Sequence, residues 1–218
     1  MSWTIQKLPV SGFAANCYWL DNGVNAWLID PAAWPEKKPL TDSRLQGIVV
    51  THGHMDHILT ADEWRSSFKV PLMIHEADAH MMTDSMANVS AKFGRPLSWQ
   101  PAEATLKDNQ IIDLGDGSRL NVINTPGHTS GCVCLQLVEV NGKQIALFTG
   151  DTIFADSVGR TDLGGSDQQL IESIDRIRSL LTDNNGNMIV YPGHGPSISF
   201  GDLCKNHPWM SRPDTDFV

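Results

Sequence analysis

Short apolar blocks and two-residue alternation dominate this chain, and they predict strands before anything else. Trp3 to Pro9 reads as a first strand. Ala15 to Leu20 and Asn25 to Ile29 read as two more, joined by the turn Asp21-Asn22-Gly23, and Asp30-Pro31 closes the third. Asp42 to Leu45 is expected to form a short helical turn. It leads into the mostly apolar run Leu45 to Val50, where Ile48, Val49 and Val50 mark a buried strand. The period then changes: Ile58, Leu59, Ala61, Trp64 and Phe68 recur at helical spacing and predict a helix opening at His57. Val70 to Ile74 is a short strand, and His75 to Met82 a helix. Gln110–Leu114 and Arg119–Asn124 pair across Gly115-Asp116-Gly117-Ser118. Cys132–Val140 and Lys143–Thr149 pair across Asn141-Gly142, a type I′ signature. Ser166-x-x-Gln169 resembles a capping box, and the spacing of Leu170, Ile171, Ile174, Ile177 and Leu181 predicts a helix over Asp167–Leu181. Met188 to Tyr191 is the last strand. Each half thus reads as hairpins closed by a helix and a strand.

One stretch breaks the pattern. Thr83 to Glu103 has weak periodicity and contains Gly94, Pro96 and Pro101, as a lid or binding loop would. It carries the cations Lys92 and Arg95 and the aromatics Phe93 and Trp99. Length and composition do little to alter this picture. A chain of 218 residues with 41% hydrophobic content is long and apolar enough for a single globular domain over 1–218. A net charge of −9 argues against nucleic acid or an anionic membrane as partner, since both need basic patches. Met1 to Val10 has no secretory leader pattern, and no run is apolar enough to span a bilayer. Cys17, Cys132, Cys134 and Cys204 suggest neither a disulfide framework nor a C-x-x-C zinc site, which fits a cytoplasmic location. Cys132 and Cys134 share one strand face, as small core residues do.

The chemistry gathers at strand ends. Thr51-His52-Gly53-His54-Met55-Asp56-His57 sets three imidazoles and a carboxylate directly after the buried strand. His52 and His54, two apart, point the same way in extended chain, and Gly53 permits a sharp turn. Asp56 and His57 then face a second point, an arrangement that suits two metal ions side by side better than one. Imidazole with carboxylate fits zinc, iron or manganese. Three further strand ends repeat the theme: Thr125-Pro126-Gly127-His128-Thr129, Gly150-Asp151, and Pro192-Gly193-His194-Gly195-Pro196. His75, His80 and His207 have no such setting and are expected outside the site.

These motifs, present and in order, resemble the metallo-β-lactamase superfamily, which implies an α/β fold: an αββα sandwich of two mixed sheets flanked by helices. Val158-Gly159-Arg160-Thr161-Asp162 and the helix after it are similar to glyoxalase II-like hydrolases, closest to the short-form hydroxyacylglutathione hydrolases. The resemblance implies two divalent ions, zinc foremost with iron or manganese as alternatives. His52, His54 and His128 would hold one, Asp56, His57 and His194 the other, and Asp151 would bridge both. It implies hydrolysis of a small-molecule thioester such as S-lactoylglutathione by a metal-bridging hydroxide, with Asp56 steering its proton, in a monomer or homodimer. Full-length glyoxalase II has a helical C-terminal domain that contacts glutathione. The sequence past His194 is too short for one, so Arg160, Lys92 and Arg95 are expected at the mouth, attracting the anionic thiol part. For Arg160 the structural alternative is a loop ion pair with Asp162.

Other readings stay open on the same scaffold. A mononuclear-iron persulfide dioxygenase would use His52, His128 and Asp151. Such enzymes share the Gly-Arg-Thr-Asp segment but usually end in Pro-Ala-His-Asp, where this sequence has Pro192-Gly193-His194-Gly195. Acyl-homoserine lactonases tend to place a tyrosine where Phe154 stands, and β-lactamases lack the bridging carboxylate that Asp151 supplies. A non-catalytic binding module would have little reason to keep all seven ligand positions.

Overall fold

The alternation sorts into two six-stranded sheets in the computed structural model, which describes residues 2–12 and 14–211. Met1, Phe13 and 212–218, and so both ends of the expected 1–218 domain, lie outside the described residues. The first sheet runs in chain order through β1 (Thr4–Leu8), β2 (Cys17–Asp21), β3 (Asn25–Ile29), β4 (Arg44–Val49), β5 (Leu72–His75) and β6 (Ala104–Leu106). The second runs through β7 (Ile111–Asp113), β8 (Arg119–Asn124), β9 (Val133–Val138), β10 (Gln144–Gly150), β11 (Ile189–Pro192) and β12 (Ile198–Ser199). Hairpin neighbours are antiparallel, while β3 to β6 and the pair β10–β11 are parallel. Helix α1 (Ala61–Phe68) flanks one sheet, and α2 (Asp167–Arg178) and α3 (Phe200–Asn206) the other. This is the expected sandwich of two mixed sheets between helices.

Side-chain alternation explains the layering. In β2, Tyr18 and Leu20 enter the core between the sheets, with Val49, Val122, Leu135 and Phe148. Cys17 and Trp19 point the other way, into the core that Trp64 of α1 completes. In β9, Val133, Leu135 and Leu137 face the inter-sheet core, and Cys134 packs with Ile174 and Ile177 of α2. Strands buried on both faces lose the polar half of the alternation, which is why they read as continuous apolar blocks.

Several local expectations fail for identifiable reasons. Arg44 and Leu45 belong to β4, not to a helical turn, because the parallel ladder takes them opposite Asn25 and Ala26. The helix expected from His57 begins at Ala61. Before it, the His57 N–H closes a tight turn onto the His54 carbonyl (3.0 Å), and the Thr60 hydroxyl donates to Pro31 and Ala33 carbonyls instead of capping. His75 ends β5, and only Ala79–Met82 coils after it, as a 3-10 turn. At Asn141-Gly142 only the glycine has positive φ (84°), and the Gly142 N–H bonds the Glu139 carbonyl (2.8 Å). The connection is therefore a three-residue loop with a left-handed glycine rather than type I′. Helix α2 stops at Arg178, with Ser179 as its cap, not at Leu181. Strands β6 and β12 and helix α3 have no counterpart in the expectations.

Candidate metal centre

Parallel pairing brings the chemical residues to one edge. In β10–β11, Gly150 pairs with Pro192, which sets Gly150-Asp151 beside Gly193-His194. The Gly193 N–H donates to the Gly150 carbonyl at 2.8 Å. A Cβ on Gly193 would lie 2.2 Å from Asp151 Oδ1, so the approach requires glycine. The end of β4 delivers 51–57. Gly53 matters there for space rather than for a positive φ: a Cβ would meet Met81 Cβ at 2.5 Å. The turn carrying His128 is held by α2 and its N-cap. Ser166 N–H donates to the Gly127 carbonyl (2.7 Å) and the Ser173 hydroxyl to the Pro126 carbonyl (2.6 Å).

All seven expected donors meet in this place. His128 Nε2 lies 2.8 Å from His54 Nδ1 and 3.2 Å from His52 Nε2, so these three imidazoles face one point. Asp56, His57 and His194 form a second group: Asp56 Oδ2 is 3.1 Å from His194 Nε2 and 3.9 Å from His57 Nε2. Asp151 lies between the groups. Its Oδ1 is 3.1 Å from His57 Nε2, and its Oδ2 is 3.5 Å from His128 Nε2 and 3.6 Å from His194 Nε2. Two of these buried atoms, His57 Nε2 and Asp151 Oδ1, have no hydrogen-bond partner although they lie at ion-pair distance. Buried polar atoms are almost always satisfied. Converging neutral nitrogens and carboxylate oxygens are the donor set a divalent cation satisfies, so the residues present fit such an ion in each group.

The electrostatics of the two groups differ. Burial, reinforced by the neighbouring imidazoles, pushes His52 well down. Burial and the adjacent His128 bring His54 down to about 3. Both therefore stay neutral and free to donate lone pairs. Burial would lower His57 too, but Asp151, Asp30 and Asp56 outweigh it and hold the ring well above its ordinary value. His194 is raised by its hydrogen bond to Asp56. Burial would lift the carboxyls of Asp56 and Asp151, yet His57 above all keeps both below the usual carboxylate range.

Three supporting residues escaped the sequence reading. Asp30, buried at the end of β3, meets His57 Nδ1 at 2.8 Å and accepts from Thr51 N–H (2.7 Å) and the Thr51 hydroxyl (2.8 Å). Asp78, also buried, accepts from Gly53 N–H (3.1 Å), Gly131 N–H (2.7 Å) and the Thr129 hydroxyl (2.7 Å), joining the loops of His52/His54 and His128. Asn16 donates from its amide to the Pro192 and Gly195 carbonyls on either side of His194. The only local signal was an acid or amide beside a buried strand or turn, and its partners are remote in sequence.

A cavity of about 650 Å³ opens over the cluster. Arg95 and Arg160 border it, but the Arg160 guanidinium is engaged by Asp162 at 2.6 and 2.5 Å, the loop ion pair anticipated as its alternative. The Arg160 carbonyl instead meets His128 Nδ1 at 2.5 Å. Lys92 does not line the cavity, and its ammonium is 3.4 Å from the Leu163 carbonyl. His75 faces the Asn124 amide, and buried His207 faces the Ser157 carbonyl (3.1 Å). Exposed His80 borders a smaller cavity that touches His54 and His128.

The model of the metallo-beta-lactamase superfamily matches residues 10–194, and the chain belongs to that superfamily, whose members bind divalent metals. An uncharacterised protein of Mycobacterium tuberculosis (strain ATCC 25618 / H37Rv) is 34% identical, with 94% of this chain and 97% of that one covered. Hydroxyacylglutathione hydrolase GloC of Haemophilus influenzae (strain ATCC 51907 / DSM 11121 / KW20 / Rd) is 29% identical over 95% of this chain and 98% of its own. Among solved structures, the chain is similar to BLEG-1, described as a B3 metallo-beta-lactamase. The TM-score is 0.81 and the identity 28%, with 96% and 100% covered. It is also similar to TTHA1623 in a di-iron-bound form, with TM-score 0.74, identity 27%, and 93% and 98% covered. No helix of the described residues is long and apolar enough to cross a membrane.

Proposed function

We propose that this chain is a metal-dependent thioester hydrolase of the hydroxyacylglutathione hydrolase kind. The observation that carries the reading is the pair of donor groups with Asp151 between them. His52, His54 and His128 would hold one divalent ion and Asp56, His57 and His194 the other, with Asp151 lying between the two groups. Two ions so held supply an activated water at neutral pH and positive charge for a thioester carbonyl. The chain does the rest. Asp30 and the Arg160 carbonyl fix the rings of His57 and His128 through their Nδ1 atoms, so that each Nε2 is presented to the cluster. Asp56, whose Oδ2 lies 3.1 Å from His194 Nε2, would steer the water's proton. Arg95, exposed at the cavity, is the cation available to an anionic substrate. Attack on the carbonyl carbon breaks the C–S bond, and the thiolate leaves readily because its conjugate acid has a pKa of about 8.5. The likeness to GloC supports this substrate class, and zinc is the first metal to test, with iron next given the likeness to a di-iron protein.

The test is a metal assay on the purified protein together with hydrolysis of S-lactoylglutathione. Two metals per chain and thioester cleavage are expected. One iron per chain with oxygen uptake on glutathione persulfide would mean a persulfide dioxygenase instead. Faster turnover of a β-lactam or an acyl-homoserine lactone would move the chain to those activities.

A further inference from the structure

Apart from the clustered histidines and aspartates, the cavity over the centre has an unusual lining. Its only other polar side chains among the described residues are Arg95 and Arg160. No hydroxyl or amide side chain of the described residues borders it. The remaining surface is apolar and comes from three segments: Met55 of the loop after β4, Val89 and Phe93 of the 83–103 stretch, and Phe154, Val158 and Leu163 after β10.

One of these residues occupies a costly backbone conformation. Val89 has φ 63°, a left-handed geometry that a β-branched side chain rarely adopts. Neighbouring Asn88 enforces it. The Asn88 amide donates to the Met81 and Leu97 carbonyls at 3.0 and 3.1 Å, and its Oδ1 accepts from Ser90 N–H at 3.0 Å. The Asn88 carbonyl accepts from Met55 N–H at 3.0 Å, which ties this wall directly to the metal-binding loop. The chain thus spends strain to hold an isopropyl group beside the site.

A lactoyl group carries a hydroxyl that the apolar wall of Met55, Val89, Phe93, Phe154, Val158 and Leu163 offers nothing to pair, and a site rewards a polar substituent only where it offers a partner. Added methylenes are what this lining favours. We propose that the cavity receives an apolar acyl group, so that the thioesters hydrolysed best carry a medium-length alkyl or an aryl acyl chain. The proposal rests on the thioesterase reading above. The overall step is unchanged: water adds to the carbonyl carbon, the C–S bond breaks, and acid and thiol leave without change of oxidation state.

The test compares substrates with one thiol and one leaving group, using the metal-loaded enzyme. S-hexanoylglutathione is expected to exceed S-lactoylglutathione by about tenfold or more in kcat/KM. Phe93→Ser, at a site 60% exposed where truncation leaves the core intact, and Val158→Asn are each expected to shrink that ratio. A lactoyl substrate turned over as well or better overturns the proposal and leaves the thioesterase reading standing. Hydrolysis of neither removes that reading, and the proposal falls with it. Binding gives a measure free of chemistry. S-hexylglutathione, which cannot be hydrolysed, is expected to bind about tenfold tighter than S-methylglutathione by calorimetry, and equal affinities overturn the proposal whatever the kinetics.

Discussion

Asp30 shows how much of this centre depends on single residues away from the donor atoms. It is buried, has a left-handed backbone (φ 53°), and engages both His57 and Thr51. With His57 Nδ1 facing the Asp30 carboxylate, Nε2 is the nitrogen left for the cluster. Asp30→Asn keeps the shape but removes the charge that fixes this tautomer. Metal affinity should drop by about 10–100-fold, read by competition with a chromogenic chelator, while the far-ultraviolet circular dichroism stays native. The sequence marked Asp30 as the end of a strand and nothing more. Its role depends on β3 and β4 running parallel, with Ile29 opposite Val49, and that register is a tertiary fact. Asp78 was hidden in the same way. Its three donors come from two loops that meet only after the sheets have stacked.

Among the elements, those with a strong local period were legible: β3 matches its expected span at Asn25–Ile29, and α2 begins where Ser166 caps it. Elements that failed were overridden from outside. The turn before α1 follows the geometry of the loop that carries His52, His54, Asp56 and His57, and β6 is a strand only because β5 offers it an edge. Helix α1 also carries a local conflict that can be measured. Lys69 caps its C-terminus at φ 56°, exposed, with its N–H bonded to the Arg65 carbonyl at 2.8 Å. Left-handed backbone costs an ordinary residue about 1–2 kcal/mol, and glycine is the usual occupant of this position. Part of that gain is lost because glycine frees the unfolded chain. Lys69→Gly should therefore stabilise by about 0.5–1 kcal/mol, seen as a rise in Tm of about 1–4 °C for a chain of this length. A lower Tm would show that the lysine side chain contributes more than its backbone costs.

For the whole molecule, the centre joins the two sheets. His52, His54, Asp56 and His57 follow β4 of one sheet, and His128, Asp151 and His194 follow β8, β10 and β11 of the other. Four strand-end motifs made this convergence legible from sequence, because each pairs a donor with a turn; the cavity lining was legible only where the 83–103 stretch, Arg95 and Arg160 were expected at the mouth, because Met55, Phe154 and Leu163 look like core. Ions held across the sheets would bind only the folded chain, so each ion at about a hundred times its Kd should add about 2.7 kcal/mol. Chelation should then lower Tm by about 5–10 °C for each ion removed. Acid should remove the ions in a definite order. Every ion competes with protons for its donors, and binding releases them. Carboxylates raise His57 and His194, so in that group the competing proton is already held above the ordinary histidine pKa of about 6.5, and its share grows as pH falls. Burial and mutual repulsion lower His52 and His54, so at those two rings protons compete only at much lower pH. The ion bound by Asp56, His57 and His194 should therefore leave first on acidification, and the ion bound by His52, His54 and His128 should persist. Metal content after equilibration across a pH series should fall from two per chain through a plateau near one. Loss of both in a single step would mean that Asp151 couples the groups more strongly than their separate electrostatics divide them.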